Sequence, residues 1–243
     1  MERKQFIKSL SILAFSGPVL VAACNKINAN GMEEEGADLE TVETDSSCSQ
    51  TPSETEGPFP TKTPTSYIRS DIRKGDNVGI NMLALINIAN VNKNCAPMEG
   101  VLVDIWHCDV DGNYSQYGGT QMQQNNFQSQ NWFRGRQITD KNGLVTFKTI
   151  FPGWYRGRAT HIHVHIYDAS GKSLLVTQIA FQDNLCVTIN QNASKYGYTK
   201  GTTGYTYNNR DNVFSDGYQK ELSTVTGSME EGFEMKITLK VKA

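Results

Sequence analysis

The chain has 243 residues, 38% of them hydrophobic, and a formal net charge of -2. That length is enough to bury a core, and the near-neutral balance with no basic stripe argues against a nucleic-acid partner. Hydrophobicity is at a normal globular level once the polar N-terminal segment is set aside.

Residues 1–23 carry Arg3, Lys4 and Lys8, then an apolar stretch from Leu10 to Val21, and run through Val21-Ala22-Ala23 into Cys24. A basic start, an apolar middle and small residues at the end make an export leader. The apolar stretch is short and broken by Gly17-Pro18, which argues against a spanning helix. Small residues running into a cysteine resemble a bacterial lipobox, so Cys24 is the expected lipidation site and mature N-terminus. The expected location is the cell envelope, with a lipid anchor to the membrane on the periplasmic or cell-surface side. Glu2 to Lys8 also resembles a twin-arginine signal with Lys4 in place of the second arginine; an ordinary Sec leader is the plainer reading. Residues 24–50 are rich in Asn, Glu, Asp, Ser and Thr and cannot bury enough apolar surface to offset ordering, so they read as a disordered tether. With Cys24 lipidated, Cys48, Cys95, Cys108 and Cys186 remain, with three possible pairings. At least one disulfide is expected outside the cytoplasm.

Residues 51–243 read as short strands between turns, which predicts an all-β antiparallel β-sandwich. Met82, Ala84, Ile86 and Ile88 alternate with Leu83, Leu85 and Asn87, and Val101, Val103 and Ile105 with Leu102, Asp104 and Trp106. Asp111-Gly112 and Asn142-Gly143 are turn signals. Val145 and Phe147 mark another strand, Leu174 to Phe181 another, and Phe233, Met235, Ile237, Leu239 and Val241 share one face of the last. No stretch has a persuasive helical period.

Three of the four histidines fall in Arg158-Ala-Thr-His161-Ile-His163-Val-His165-Ile-Tyr167. On a strand, His161, His163 and His165 point one way and Ile162, Val164 and Ile166 the other. Histidines at i and i+2 stand about 6 to 7 Å apart at Cβ, close enough to converge on one metal ion. A lone strand histidine reads as core or surface; a His-x-His run between β-branched residues reads as a metal site. Tyr114, after Asp111-Gly112-Asn113, and Tyr155, after Phe151-Pro-Gly-Trp154, stand where such a metal could use them.

Five segments together resemble the intradiol ring-cleavage dioxygenases: Thr55-Glu-Gly-Pro-Phe-Pro60, Val103-Asp-Ile-Trp-His-Cys-Asp-Val-Asp-Gly-Asn-Tyr114, Phe133-Arg-Gly-Arg-Gln-Ile-Thr-Asp140, Thr149-Ile-Phe-Pro-Gly-Trp-Tyr155 and Arg158-Ala-Thr-His161-Ile-His163. They occur in family order over about residues 50 to 182. The resemblance implies a β-sandwich of the intradiol type holding non-haem Fe(III) on Tyr114, Tyr155, His161 and His163. It implies that Arg158 is the active-site arginine, that Tyr155 also takes a substrate proton, and that Gln178 stands where the family places a supporting glutamine. Gly57, Pro58 and Phe59 would line the substrate mouth. The implied reaction cuts a catechol-type ring between its hydroxyls with O2, giving a muconate-type dicarboxylate. Independently, tyrosine has a pKa near 10, so ionised tyrosines at neutral pH need a strong adjacent positive charge, which trivalent iron supplies.

Some features depart from the family or lie outside it. His165 extends the histidine run, with solvent or the pocket rim as its expected place. His107 reads as a plain strand residue, Gln121 to Gln130 as a polar surface loop, and Tyr196, Tyr198, Tyr205 and Tyr207 as a packed glycine-rich loop. The family's intracellular catechol members have an N-terminal helical dimerisation region with no counterpart here, so a homo-oligomer is left open. The rival readings are a zinc hydrolase or hydratase on His161, His163 and His165, a non-catalytic cell-surface binding module, and a structural lipoprotein.

Overall fold

The computed structural model describes residues 48–243. The predicted leader, Cys24 and the tether up to residue 47 lie outside the described residues. The alternating segments form nine strands: β1 (Asn81–Asn90), β2 (Ala96–Pro97), β3 (Leu102–Trp106), β4 (Arg134–Ile138), β5 (Leu144–Ile150), β6 (His161–Tyr167), β7 (Ser173–Ala180), β8 (Thr224–Ser228) and β9 (Gly232–Val241). One sheet has the order β2–β1–β9–β8, with β5 also paired to β1; the other runs β4–β3–β6–β7.

The faces follow the alternation read in the sequence. Met82, Ala84, Ile86 and Ile88 of β1 meet Phe147 and Val145 of β5 and Met235, Ile237 and Leu239 of β9 in a core closed from the second sheet by Val103, Ile105, Ile162, Val164 and Ile166. Period-two burial against a facing sheet is the reason these segments are strands. Two features differ from the sequence expectation. The β1–β9 pair is parallel, with Ile86 opposite Ile237, although every other strand pair is antiparallel. There is also an α-helix, α1 (Asp183–Asn192), which buries Cys186, Ile189 and Asn190. Its apolar spacing is thin and includes the β-branched Val187, Thr188 and Ile189, so packing rather than propensity makes it helical. Among the described residues no helix is long and apolar enough to cross a membrane.

The second sheet is covered on both faces, which positions the site. On β6 every residue from His161 to Ile166 is buried: the isoleucines and Val164 in the core, the histidines on the opposite face. A smaller cluster of Phe59, Trp106, Cys108 and Tyr114, with Tyr117 and Tyr155 packed on it, covers that opposite face. At the amino end the chain is tied in by a disulfide between Cys48 and Cys95, by Thr51 N–H donating to the Lys240 carbonyl (3.0 Å), and by Lys240 N–H donating to Thr51 Oγ1 (2.9 Å). Cys108 and Cys186 are free and buried.

The Cys48–Cys95 bridge closes a separation of 47 residues. Replacing Cys95 by Ser is expected to lower the unfolding free energy by about 2–4 kcal/mol. The check is the urea midpoint of the variant against the oxidised parent; equal midpoints would mean the bridge constrains nothing.

Candidate metal centre and active site

β6 is paired on both sides, with Trp106 of β3 and Gln178 of β7 directly opposite His163. The Trp106 indole lies flat on the His163 ring, centroids 4.8 Å apart and planes within 3°. On the other side the Thr55–Phe59 segment crosses the ring at Gly57, where φ is +65° and an added Cβ would stand 3.1 Å from His163 Cε1. A side chain there would therefore meet both an unfavourable backbone and a buried ring.

His161 Nδ1 donates to the Ala159 carbonyl at 2.6 Å, which leaves Nε2 as the bare nitrogen. That Nε2 accepts from the Tyr114 hydroxyl at 3.2 Å and stands 3.1 Å from His163 Nε2. Two ring nitrogens and one phenol oxygen thus converge on one point. The Tyr155 ring stands edge-on to Tyr114 with centroids 6.2 Å apart, and both contact Phe59, which stacks on Tyr114 at 4.8 Å.

Burial first, then the charge of Arg158, pushes His161 down to about 3. Burial and then the neighbouring His161 hold His163 well below its usual value. Both imidazoles are therefore neutral and able to ligate at neutral pH. Burial holds the Tyr114 phenol well above its ordinary value, with Arg158 and Arg134 opposing, and raises Tyr155, with Arg158 opposing. Without a further positive charge at the convergence point both tyrosines stay protonated.

Arg158 sits beside this cluster in a fixed pose. Its Nε reaches both oxygens of Asp211 (2.8 and 2.9 Å) and its Nη2 donates to Gln178 Oε1 (2.6 Å). Asp211 also accepts the Ala159 backbone N–H at 2.7 Å, and Gln178 Nε2 donates to the Thr55 carbonyl at 2.9 Å. One hydrogen-bonded chain thus links the arginine, the turn before His161 and the mouth segment. Gly57 and Phe59 stand against the cluster while Pro58 is exposed.

His165 is not at the rim. It is buried, with Nδ1 in contact with Glu56 Oε1 and the Tyr167 hydroxyl and Nε2 with Ser173 Oγ, each at 2.8 Å. Both its nitrogens are engaged away from His161 and His163, and among the described residues no three His, Cys, Asp or Glu side chains converge to hold a metal ion. The three-histidine zinc arrangement is therefore not assembled. His107 is buried between Phe133 and Thr149, with Nε2 2.6 Å from Thr149 Oγ1.

Three supports were missed in the sequence. Asp211 lies 53 residues beyond Arg158 in an irregular segment, so no local signal announced it. Gln123, inside the stretch read as surface loop, is buried: its Oε1 accepts the Tyr114 N–H at 2.6 Å and its Nε2 donates to the Tyr114 and Tyr117 carbonyls. Its neighbours from Gln121 to Gln130 are exposed except Phe127, which is partly buried, so composition hid one inward residue. Glu221 is the third. Among the tyrosines read as a packed loop, Tyr198 is buried with its hydroxyl donating to the Phe151 carbonyl, and Tyr205 packs edge-on to Trp154.

A two-sheet sandwich that brings His161, His163 and the Tyr114 hydroxyl to one point, with Tyr155 half-buried beside Tyr114 and an oriented arginine next to them, is the frame in which the comparisons with known proteins fall. The family model described as Dioxygenase matches residues 56–202. Among solved structures, an intradiol ring-cleavage dioxygenase from Tetranychus urticae is 30% identical, covering 80% of this chain and 95% of that one, with a TM-score of 0.70. The dioxygenase domain of a dioxygenase carbohydrate-binding protein fusion from Streptomyces sp. SirexAA-E is 26% identical over 80% of this chain and 99% of that one, TM-score 0.55. A chlorocatechol 1,2-dioxygenase from Rhodococcus opacus is 29% identical over 105 residues, which is 35% of this chain and 38% of that protein. The chain belongs to the intradiol ring-cleavage dioxygenase family.

Behind Gln178 lies a buried carboxyl. Glu221 Oε1 accepts from Thr177 Oγ1 at 2.7 Å while Oε2 has no hydrogen-bond partner. Burial, reinforced by Glu54 and Asp216, pushes Glu221 up to about 8 from 4.5. A carboxyl raised in the folded state holds its proton more tightly there than in the unfolded chain. Its contribution to stability therefore declines as pH rises from 4.5 towards 8 and is level above that. Glu221→Gln is expected to remove this decline, so its urea midpoint should gain on the parent's between pH 5 and pH 9, both values being about where the titration begins and ends. A parallel pH dependence in parent and variant would show that Glu221 does not carry the shift.

Proposed function

We propose that this chain is an iron(III)-dependent intradiol dioxygenase that cleaves a catechol-type ring between its two hydroxyls with O2, yielding a muconate-type dicarboxylate. The observation that carries this reading is the convergence of His163 Nε2 and the Tyr114 hydroxyl on His161 Nε2, at 3.1 and 3.2 Å, with both histidines neutral. The bare His161 Nε2 facing His163 Nε2 at that distance calls for a cation or a proton between the two nitrogens. The donor set suits a hard trivalent ion: Tyr114 and Tyr155 can ionise beside it, and the two histidines complete the set without further charge. When bound there, ferric iron would supply the positive charge that ionises the ligating tyrosines and the electron-accepting centre that opens the diol ring to O2.

The protein's own groups then have separate tasks. Tyr155 is half-buried, in ring contact with Phe59 and Tyr114 and within the field of Arg158, whereas Tyr114 is fully buried, so we assign to Tyr155 the proton of the incoming diol. Arg158 is fixed by Asp211 and Gln178 before substrate arrives, and its charge stabilises negative charge on the ring without reorganisation. Phe59 and Gly57 would form the apolar wall that seats the ring and limits water, with the exposed Pro58 at its outer side.

We also read the leader and Cys24 as anchoring the enzyme by lipid to the cell envelope, where the acidic segment after Cys24 would hold the catalytic domain off the membrane. Cys24→Ser is expected to move the protein from the membrane fraction to the soluble one. Retention in the membrane would overturn the anchor.

For the reaction, the purified protein is expected to be coloured by an iron–tyrosinate band, with about one iron per chain and a band that moves when catechol is added without oxygen. Tyr155→Phe should bleach or shift that band and slow turnover by about 100-fold, in the range of a lost general base. His165→Ala should leave iron content unchanged. A colourless protein that holds zinc and cannot be reconstituted with iron would overturn the proposal; loss of iron in the His165 variant would reassign the ligands.

A further inference from the structure

Arg134 opens β4, in register with Trp106, and is fully buried. Its Nε donates to Ser115 Oγ at 2.9 Å and its Nη2 to the Ser115 carbonyl at 2.6 Å. On the other side of the fork, Nη1 donates to the Phe59 carbonyl at 3.0 Å and to Thr61 Oγ1 at 3.2 Å. The guanidinium also lies 5.4 Å from the centre of the Tyr117 ring. None of these partners is a carboxylate. The contrast with its neighbours is plain, since Arg158 is paired with Asp211 and Arg136 with Asp104. Burying a guanidinium against dipoles alone is costly, and an apolar residue of similar volume would spare the fold that cost.

What the cost secures is visible in the partners. Ser115 follows Tyr114, and Phe59 and Thr61 belong to the segment that crosses His163 and stacks on Tyr114. These two segments are more than 50 residues apart in sequence, and no strand pairing joins them. A planar fork of five N–H donors can bridge them; a lysine ammonium, a point charge on a flexible stem, cannot hold both sides in one geometry.

We propose that Arg134 is a positioning residue of the oxygenase site: it clamps the Phe59–Thr61 mouth segment to the Tyr114–Ser115 segment, and leaves an unbalanced positive charge where an anionic diol would dock. The inference rests on the function proposed above. Its two parts separate by substitution. Arg134→Lys keeps the charge and loses the fork; Arg134→Met loses both. Thr61→Val cuts one arm of the clamp on the mouth side and leaves the buried arginine in place.

The test uses the iron-loaded full-length enzyme with catechol as probe, reading KM and kcat separately, the position of the visible band, and iron per chain. Arg134→Met and Arg134→Lys are both expected to raise KM about tenfold with a smaller effect on kcat, as for the loss of a charged hydrogen bond. The band of the substrate-free enzyme should move in the Met variant and hold its position in the Lys variant, and Thr61→Val should raise KM by less than either. Unchanged KM and an unchanged band in folded Arg134 variants would overturn the clamp while leaving the proposed function standing. Should Arg134→Met fail to fold, Thr61→Val decides: a raised KM at full iron content supports the clamp, and an unchanged KM overturns it. A parent protein that takes up no iron overturns the proposed function and this inference with it, and is told apart by the metal analysis alone.

Discussion

The constraint on which the site depends is the two-residue period of β6. One strand supplies Ile162, Val164 and Ile166 to the sandwich core and His161, His163 and His165 to the opposite face, and both faces are buried. A slip of one residue in its pairing with β3 or β7 would put imidazoles into the apolar core and aliphatic chains onto the tyrosines. Core packing and histidine placement are thus set by the same pairing. The rung Trp106–His163–Gln178 shows how far this extends. In one line across three strands stand the indole that lies flat on the imidazole, the imidazole itself, and the amide that holds Arg158.

Burial then sets the chemistry of the groups that the register has placed. It discharges the histidines and raises the tyrosines, so the polypeptide alone presents neutral donors and protonated phenols. Positive charge nearby opposes that rise, and two arginines supply it by different means. Arg158 is balanced by Asp211 and aimed by Gln178, whereas Arg134 is surrounded by carbonyls and hydroxyls. Neutral interior polar groups orient a charge without cancelling its field, which is why the two residues need not act alike.

What was legible in the sequence is what repeats locally. The strand faces of β1, β6 and β9 could be read because alternation is a local pattern, and the histidine pair because its spacing is two. Tyr114 and Tyr155 gain a role only through the resemblance to a family, since a tyrosine after a turn carries no local mark of its own. The long-range supports were not legible. Asp211 reaches Arg158 across 53 residues, Gln123 is one buried glutamine among exposed polar neighbours, and His165 is captured by Glu56 from 109 residues away. The parallel pairing of β1 with β9 escaped for the same reason, because an alternating face does not encode strand direction.

That parallel pairing bears on how the chain is made. β9 lies between β1 and β8 in its sheet, so the sheet lacks its middle strand until residues 232–241 have left the ribosome. The other sheet has no such gap: β3, β4, β6 and β7 are all synthesised before residue 181. A nascent chain therefore reaches a stage at which the face bearing the histidines can pair while the sheet that must cover its apolar side has an open edge at β1. Open edges and uncovered apolar faces invite association with other chains. For this fold the half-built sandwich stays unprotected until the ten-residue β9 takes its place beside β1.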